Sequence, residues 1–283
     1  MLYGMPYQGS KTKIAEDIIK VLPEGRRFCD LFGGGGAMSH CAMVTGKWQQ
    51  ILYGEINQCV CETFENALSG KYDYDRFCPE FIDREQFKQR RATDGYIRLC
   101  WSFGCNGIDY LYSVEKEPMA KAIHNAVVFN DFTLSDNLHI KLHYLNKYKN
   151  ITKRRLALSD YMRLLQLEHL ERLQRLDRDL YRNLFDIEIQ VCCQSYEDYI
   201  YKDGDIVYCD IPYEYRTNDY DARFNHNSFY QWAKIRDYPV YFSMYDNISD
   251  DSFEIVWQKD IVSSYSATSN ATIKTECLYY NKK

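Results

Sequence analysis

The 283-residue sequence contains no apolar run near the roughly 18 residues that a membrane-spanning helix needs. Its first residues, MLYGMPYQGSKTK, lack the apolar core of a secretory signal. No strong tandem repeat and no low-complexity tract interrupts it. Zinc-ligand spacing is missing too. There are 11 cysteines, an odd number, and neither Cys59-x-Cys61 nor the adjacent Cys192-Cys193 has the spacing of a metal site. These absences speak against a membrane-spanning protein, a secreted disulfide scaffold and a disordered chain. Reduced cytosolic thiols, many buried as small hydrophobes, are expected, and no metal.

A net positive charge is also absent, since the balance is −5. That speaks against a uniformly basic nucleic-acid binder, but the charge is unevenly placed. Between Lys141 and Arg182 there are 11 Lys/Arg against 5 Asp/Glu, a local +6 on a remainder of −11. Either a phosphate-facing surface or a salt-bridged helix has this pattern. What the sequence does have is an ordinary hydrophobic content of 46% and an unusual 26 tyrosines, rings with a polar tip that suit half-wet surfaces.

Residues 26–32, RRFCDLF, read as a short buried strand followed by the loop GGGGAMS and a helix to about Lys47. Residues 50–56, QILYGEI, make a second strand. This is a βαβ unit with a glycine-rich first turn. From Ser69 to Phe185 the pattern is helical, broken by SFGCNGIDYLYS at 102–113. Leu164, Leu167, Leu170, Leu173, Leu176, Leu180 and Leu184 form one apolar helix stripe. Ser159 is its expected N-cap, with Glu168–Arg172 and Glu171–Arg175 as i,i+4 pairs. Strand signals return in IEIQVCC, DIVYCD, PVYFSMY, FEIVWQKDIV and ECLYY, with a helix expected at NSFYQWAK. The expected fold is one α/β sheet, built from residues 1–68 and 186–283 and interrupted by a mainly helical domain at 69–185.

Two strand ends carry unusual residues, and ligands of open α/β sheets sit beyond such ends. At the first, DLFGGGGA lets the backbone approach a ligand closely, and Glu55 ends the next strand 21 residues after Gly34. That spacing suits a carboxylate accepting from ribose hydroxyls, in either an S-adenosylmethionine or a dinucleotide site. At the second, the strand IVYC runs into Asp210-Ile211-Pro212-Tyr213. Pro212 stiffens the turn and biases Ile211 to an extended shape. Acceptors at Asp210 and a turn carbonyl, beside the flat Tyr213 ring as an open stacking surface, suit the exocyclic amine of a base.

These residues resemble the Dam-like, D12 class DNA adenine-N6 methyltransferases, and in particular their phage-type members. YQGSKTKIAEDI resembles the family's first motif, DLFGGGG its F-x-G-x-G loop, YGEIN its Asp-Ile-Asn, and CDIPY its Asp-Pro-Pro-Tyr. CWSFGCNG with DYLYS is similar to phage-type members within the insertion. Two positions depart from the family: Ile211 replaces a proline, and Ser195 stands where many relatives have Asp.

The resemblance implies a Rossmann-like, S-adenosylmethionine-dependent methyltransferase sheet with an inserted target-recognition domain. It implies cofactor contacts at Tyr7, Lys11, Asp30, Phe32, Gly34, Gly36, Glu55 and Asp210, and chemistry at Asp210, Pro212 and Tyr213, with no metal. Double-stranded DNA is the implied partner. The expected contacts are Lys149, Lys153, Arg154 and Arg155 to phosphates, and Asn106, Tyr110 and Tyr112 to bases. No membrane and no obligate protein partner are implied. The implied setting is the cytoplasm of a bacterial or phage-infected cell, as in restriction-modification. A non-catalytic binder of DNA or cofactor, and an amine methyltransferase acting on RNA or protein, are the rival readings.

Overall fold

The computed structural model describes residues 2–158, 162–182, 186–213, 224–245, 248, 250–262 and 273–283. Its strands are β1 (Arg27–Asp30), β2 (Gln50–Glu55), β3 (Glu188–Cys193), β4 (Asp205–Cys209), β5 (Val240–Tyr245), β6 (Glu254–Val262) and β7 (Ile273–Tyr280). They form one sheet in the order β3-β2-β1-β4-β5-β7-β6. Neighbours from β3 to β5 pair parallel, and β7 runs antiparallel to both β5 and β6. Every residue of β1 and β4 is buried, as a parallel sheet covered on both faces requires. The edge strand β3 alternates exposed and half-buried residues.

The helices are α1 (Ala15–Val21), α2 (Ala37–Thr45), α3 (Gln58–Leu68), α4 (Arg84–Arg90), α5 (Gly95–Cys100), α6 (Glu117–Val128), α7 (Thr133–Asn137), α8 (Ile151–Leu156), α9 (Leu165–Arg182) and α10 (His226–Lys234). Four of their starts carry side-chain caps. Asp83 and Gln86 close a capping box on α4, while Asp94, Asn150 and Asn225 cap α5, α8 and α10. Among the described residues no helix is long and apolar enough to cross a membrane. All eleven cysteines are free.

The chain divides into two compact units. One comprises Lys11–Cys61 and Asn183–Lys283 and holds the sheet; the other comprises Leu2–Ser10 and Glu62–Arg182 and is helical. The sequence set the seams near residues 68 and 185, with the N-terminal residues in the sheet. In the sheet unit, Arg27 on β1 donates bidentately to Asp205 on β4 at 3.0 and 2.7 Å, pinning the strand starts together. Phe229, Trp232, Phe242, Phe253 and Tyr279 belong to its aromatic core.

In the helical unit, Leu164, Leu167, Leu170, Leu173 and Leu176 are buried and Leu180 is half-buried. Ser159 and Leu184 lie outside the described residues. The expected i,i+4 pairs give way to longer reaches. Arg172 donates to the Tyr3 and Met5 carbonyls at 3.2 and 2.7 Å, and Arg175 to the Leu2 carbonyl at 3.1 Å. Glu171 pairs with Arg155 at 2.7 Å and Glu168 with Arg163 at 2.5 Å. These arginines supply donors to backbone carbonyls of the N-terminal segment, which need them.

Candidate active site

The strand order turns between β1 and β4, and ligands of open α/β sheets bind at such a turning point. Asp30 closes β1 there, and Asp210 follows the last residue of β4. Asp30 is 1% exposed, and its Oδ2 accepts from the Ser39 hydroxyl at 2.8 Å. Its other oxygen is buried without a hydrogen-bond partner. Burial, reinforced by the Asp210 and Glu55 charges against the Ser39 hydrogen bonds, pushes the Asp30 carboxyl up to about 7.

Strand β2 shapes the glycine loop. The Tyr53 hydroxyl donates to the Gly34 carbonyl at 2.7 Å, and the Gly34 N–H donates to Glu55 Oε2 at 2.9 Å. The second Glu55 oxygen accepts the Asn57 N–H at 2.8 Å. A Cβ on Gly33 would stand 2.2 Å from the Tyr53 ring, and Gly34 has φ 48°. Only glycine meets both demands. Gly36, also left-handed, opens α2. Phe32 stacks on Tyr196 at 5.1 Å and meets the edges of Phe224 and Phe229, so its visible role is packing. Ser195 caps the short turn at Tyr196–Asp198, accepting from Glu197.

Around Asp210 three side chains converge. Lys11 Nζ donates to Asp210 Oδ1 at 2.5 Å, lies 3.7 Å from Glu276 Oε1 and sits 4.5 Å over the Tyr213 ring. The Tyr213 hydroxyl donates to Glu276. Lys11 and Glu276 are buried, whereas the Asp210 side chain keeps 22% of its exposure. Ile211 is 1% exposed and packs in the aromatic core, filling the family's proline position with another apolar side chain. The Pro212 carbonyl accepts from His226 Nε2 at 2.6 Å. Tyr213 differs from the expected open stacking surface. It is 5% exposed, with an ammonium over its ring and the Tyr245 ring edge-on at 4.4 Å.

Against known families, the model of the D12 class N6 adenine-specific DNA methyltransferases matches residues 7–282. The chain belongs to that family. No match was found among the curated proteins. The α/β sheet is accordingly a methyltransferase sheet, and the protein is an adenine-specific DNA methyltransferase.

The DNA contacts expected in this methyltransferase fare unevenly. Lys149 and Lys153 are exposed. Arg154 is buried instead, donating to the carbonyls of Val127, Val128 and Tyr148. It closes the C-terminal end of α6, where helix carbonyls lack partners. The Arg155 side chain is 9% exposed and paired with Glu171. The three insertion residues are half-buried, and their polar groups have partners within the chain. Asn106 accepts from the Ile108 and Asp109 N–H groups and donates to Asp109, which builds its own loop. Tyr110 donates to the Ile82 carbonyl at 2.7 Å, and Tyr112 to Gln166. Tyr7 is half-buried in the helical unit and Lys11 belongs to the sheet unit, so the first motif is divided between them.

Sequence reasoning missed Glu276 and His226. Glu276 left one signal, a carboxylate inside the otherwise apolar strand pattern ECLYY. His226, at the start of α10, left none.

Proposed function

We propose that the enzyme transfers a methyl group from S-adenosylmethionine to N6 of an adenine turned out of a DNA duplex at a specific sequence. One observation carries this reading: Asp210, held by Lys11, follows β4 directly beside the end of β1, which bears the glycine loop. The residues there fit the cofactor. Asp30 has a buried oxygen without a partner, Glu55 is fixed by two backbone donors, and the loop has no Cβ at Gly33 or Gly34. Glu55 would accept from the ribose hydroxyls, since a carboxylate offers about four lone-pair sites. Gly34, Gly36 and Asp30 would line the same pocket with Phe32 at its border. When bound, the sulfonium supplies an already activated methyl group.

The protein's own work is binding and positioning. The amine lone pair of adenine is delocalised into the ring, so an acceptor for its hydrogens favours the pyramidal, nucleophilic form. Asp210 is that acceptor, close to where positive charge develops on nitrogen. The Pro212 carbonyl is engaged by His226, which favours Ile211 as the second, backbone acceptor. The target base must leave the stack, because its amine is otherwise paired. Residues 69–185 serve as the target-recognition domain, with Lys149 and Lys153 on phosphates. The setting is the cytoplasm of a bacterial or phage-infected cell, and restriction-modification is one use such an enzyme has.

Transfer of tritiated methyl groups to duplex DNA tests the reading. Asp210→Ala should lower turnover by about 10²-fold or more while the protein stays folded. A loss below about tenfold would remove Asp210 from the chemistry.

A further inference from the structure

The Glu276 carboxylate has no part in the reaction as derived above, yet it is the most deeply buried of the acidic groups around Lys11. It lies on β7, 1% exposed, opposite Tyr245 of β5 and Lys259 of β6. Its Oε1 receives the Tyr213 hydroxyl and stands 3.7 Å from Lys11 Nζ, while Lys11 reaches Asp210 on its other side. A buried carboxylate is costly unless paired, so a strand that places one here must satisfy it. Two partners from distant parts of the chain do so. One is the first residue of the turn at Lys11–Lys13; the other is the last residue of the Asp-Ile-Pro-Tyr run.

We propose that Glu276 is a positioning residue for methyl transfer, holding Tyr213 and Lys11 so that Lys11 sets the orientation of the Asp210 carboxylate. The inference rests on the reading of Asp210 given above. The lysine ammonium has three N–H donors and a flexible four-carbon stem. Loss of the Glu276 contact would leave it freer to swing, and the carboxylate with it. Glu276 and the Tyr213 ring beneath fix the ammonium from two further directions. The same carboxylate locks the end of the catalytic turn through the tyrosine hydroxyl.

Glu276→Gln tests this with little change in volume, because the amide oxygen still accepts from Tyr213 while the charge facing Lys11 is removed. Single-turnover methyl transfer should fall by about a hundredfold, the usual cost of a misplacement near 1 Å. Duplex DNA affinity should stay within about threefold, S-adenosylmethionine affinity should fall by much less than the rate because Lys11 and Asp210 are also expected cofactor contacts, and Glu276→Asp, which keeps the charge, should recover part of the rate. Tyr213→Phe removes only the hydroxyl and should slow transfer less. Combined with Glu276→Gln it should add less than the product of the two effects, because both act through one contact.

A Glu276→Gln enzyme with a single-turnover rate within about threefold of wild type would overturn the proposal, as would a rate loss matched by an equal loss of cofactor affinity. If Glu276→Gln does not fold, Tyr213→Phe decides alone. Wild-type rate in that variant overturns the proposal, and slowed transfer with normal affinities supports it. Asp210→Ala run in parallel separates the two failures. An active Asp210→Ala enzyme sinks the catalytic reading itself, whereas an inactive one beside an unaffected Glu276→Gln enzyme sinks only the role of Glu276.

Discussion

Replacing Arg154 by Gln should cost about 3 kcal/mol of stability and leave the salt dependence of DNA binding unchanged. Arg154 is 7% exposed, and its guanidinium bonds three backbone carbonyls: Val127 through Nε, Val128 through Nη2 at 3.2 Å and Tyr148 through Nη1 at 3.1 Å. Glutamine is shorter and brings one NH2 group, so at least two of these carbonyls lose the donor. Each buried acceptor left without a partner costs about 1–3 kcal/mol, and the lower half of that range gives the figure above. The melting temperature should drop by roughly 10 °C. Urea unfolding followed by circular dichroism measures the first effect, and fluorescence anisotropy of a labelled duplex across a salt series measures the second. The paired comparison is Lys149→Gln with Lys153→Gln. It should leave stability alone and flatten the plot of log affinity against log salt by about 0.9 for each phosphate no longer neutralised. An Arg154→Gln protein as stable as wild type, with the flattened slope instead, would refute the helix-closing role and restore the phosphate reading.

Two further outcomes follow from the cofactor side of the sheet. Asp30 is pushed up to about 7 in the folded protein and titrates near 4 when unfolded. Folding therefore retains a proton between about pH 4 and 7, and stability falls as pH rises through that window. Asp30→Asn should remove this slope and leave the protein more stable than wild type at pH 8; parallel stability curves for the two proteins would contradict it. Glu55→Gln retains one acceptor oxygen where Gly34 and Asn57 use two. Calorimetry should show S-adenosylmethionine binding weakened about tenfold, near 1.4 kcal/mol, with DNA affinity of the cofactor-free enzyme unchanged. Unchanged cofactor affinity would remove Glu55 from ribose recognition.

All seven strands were legible in the sequence because each is a short apolar or alternating run between turn residues, and that signal is local. The leucine stripe of α9 was legible for the same reason. Glu55 and the glycine loop could be paired from spacing alone, since they belong to one βαβ unit. Side-chain partners across long separations were not legible. Arg154 reads as one more cation in KNITKRR until the end of α6 is seen beside it. Arg172 and Arg175 looked like members of a charged helix face, but the carbonyls they satisfy lie about 170 residues away in sequence. Tyr213 was read as an open ring because nothing local announces the lysine over it or the glutamate that holds its hydroxyl.

The pairing of β2 with β3 also bears on how the chain folds. The Gln50 amide meets the Glu188 carboxylate across 138 positions, and Arg27 meets Asp205 across 178. The entropy of closing such loops grows slowly with length, about 0.6 kcal/mol for each doubling, but folding rates fall as contacts become more distant in sequence. The helices from α4 to α9 are contiguous in the chain, so their unit can condense while the strands on either side remain apart. Pulsed hydrogen exchange during refolding should then protect the amides of α9 before those of β3.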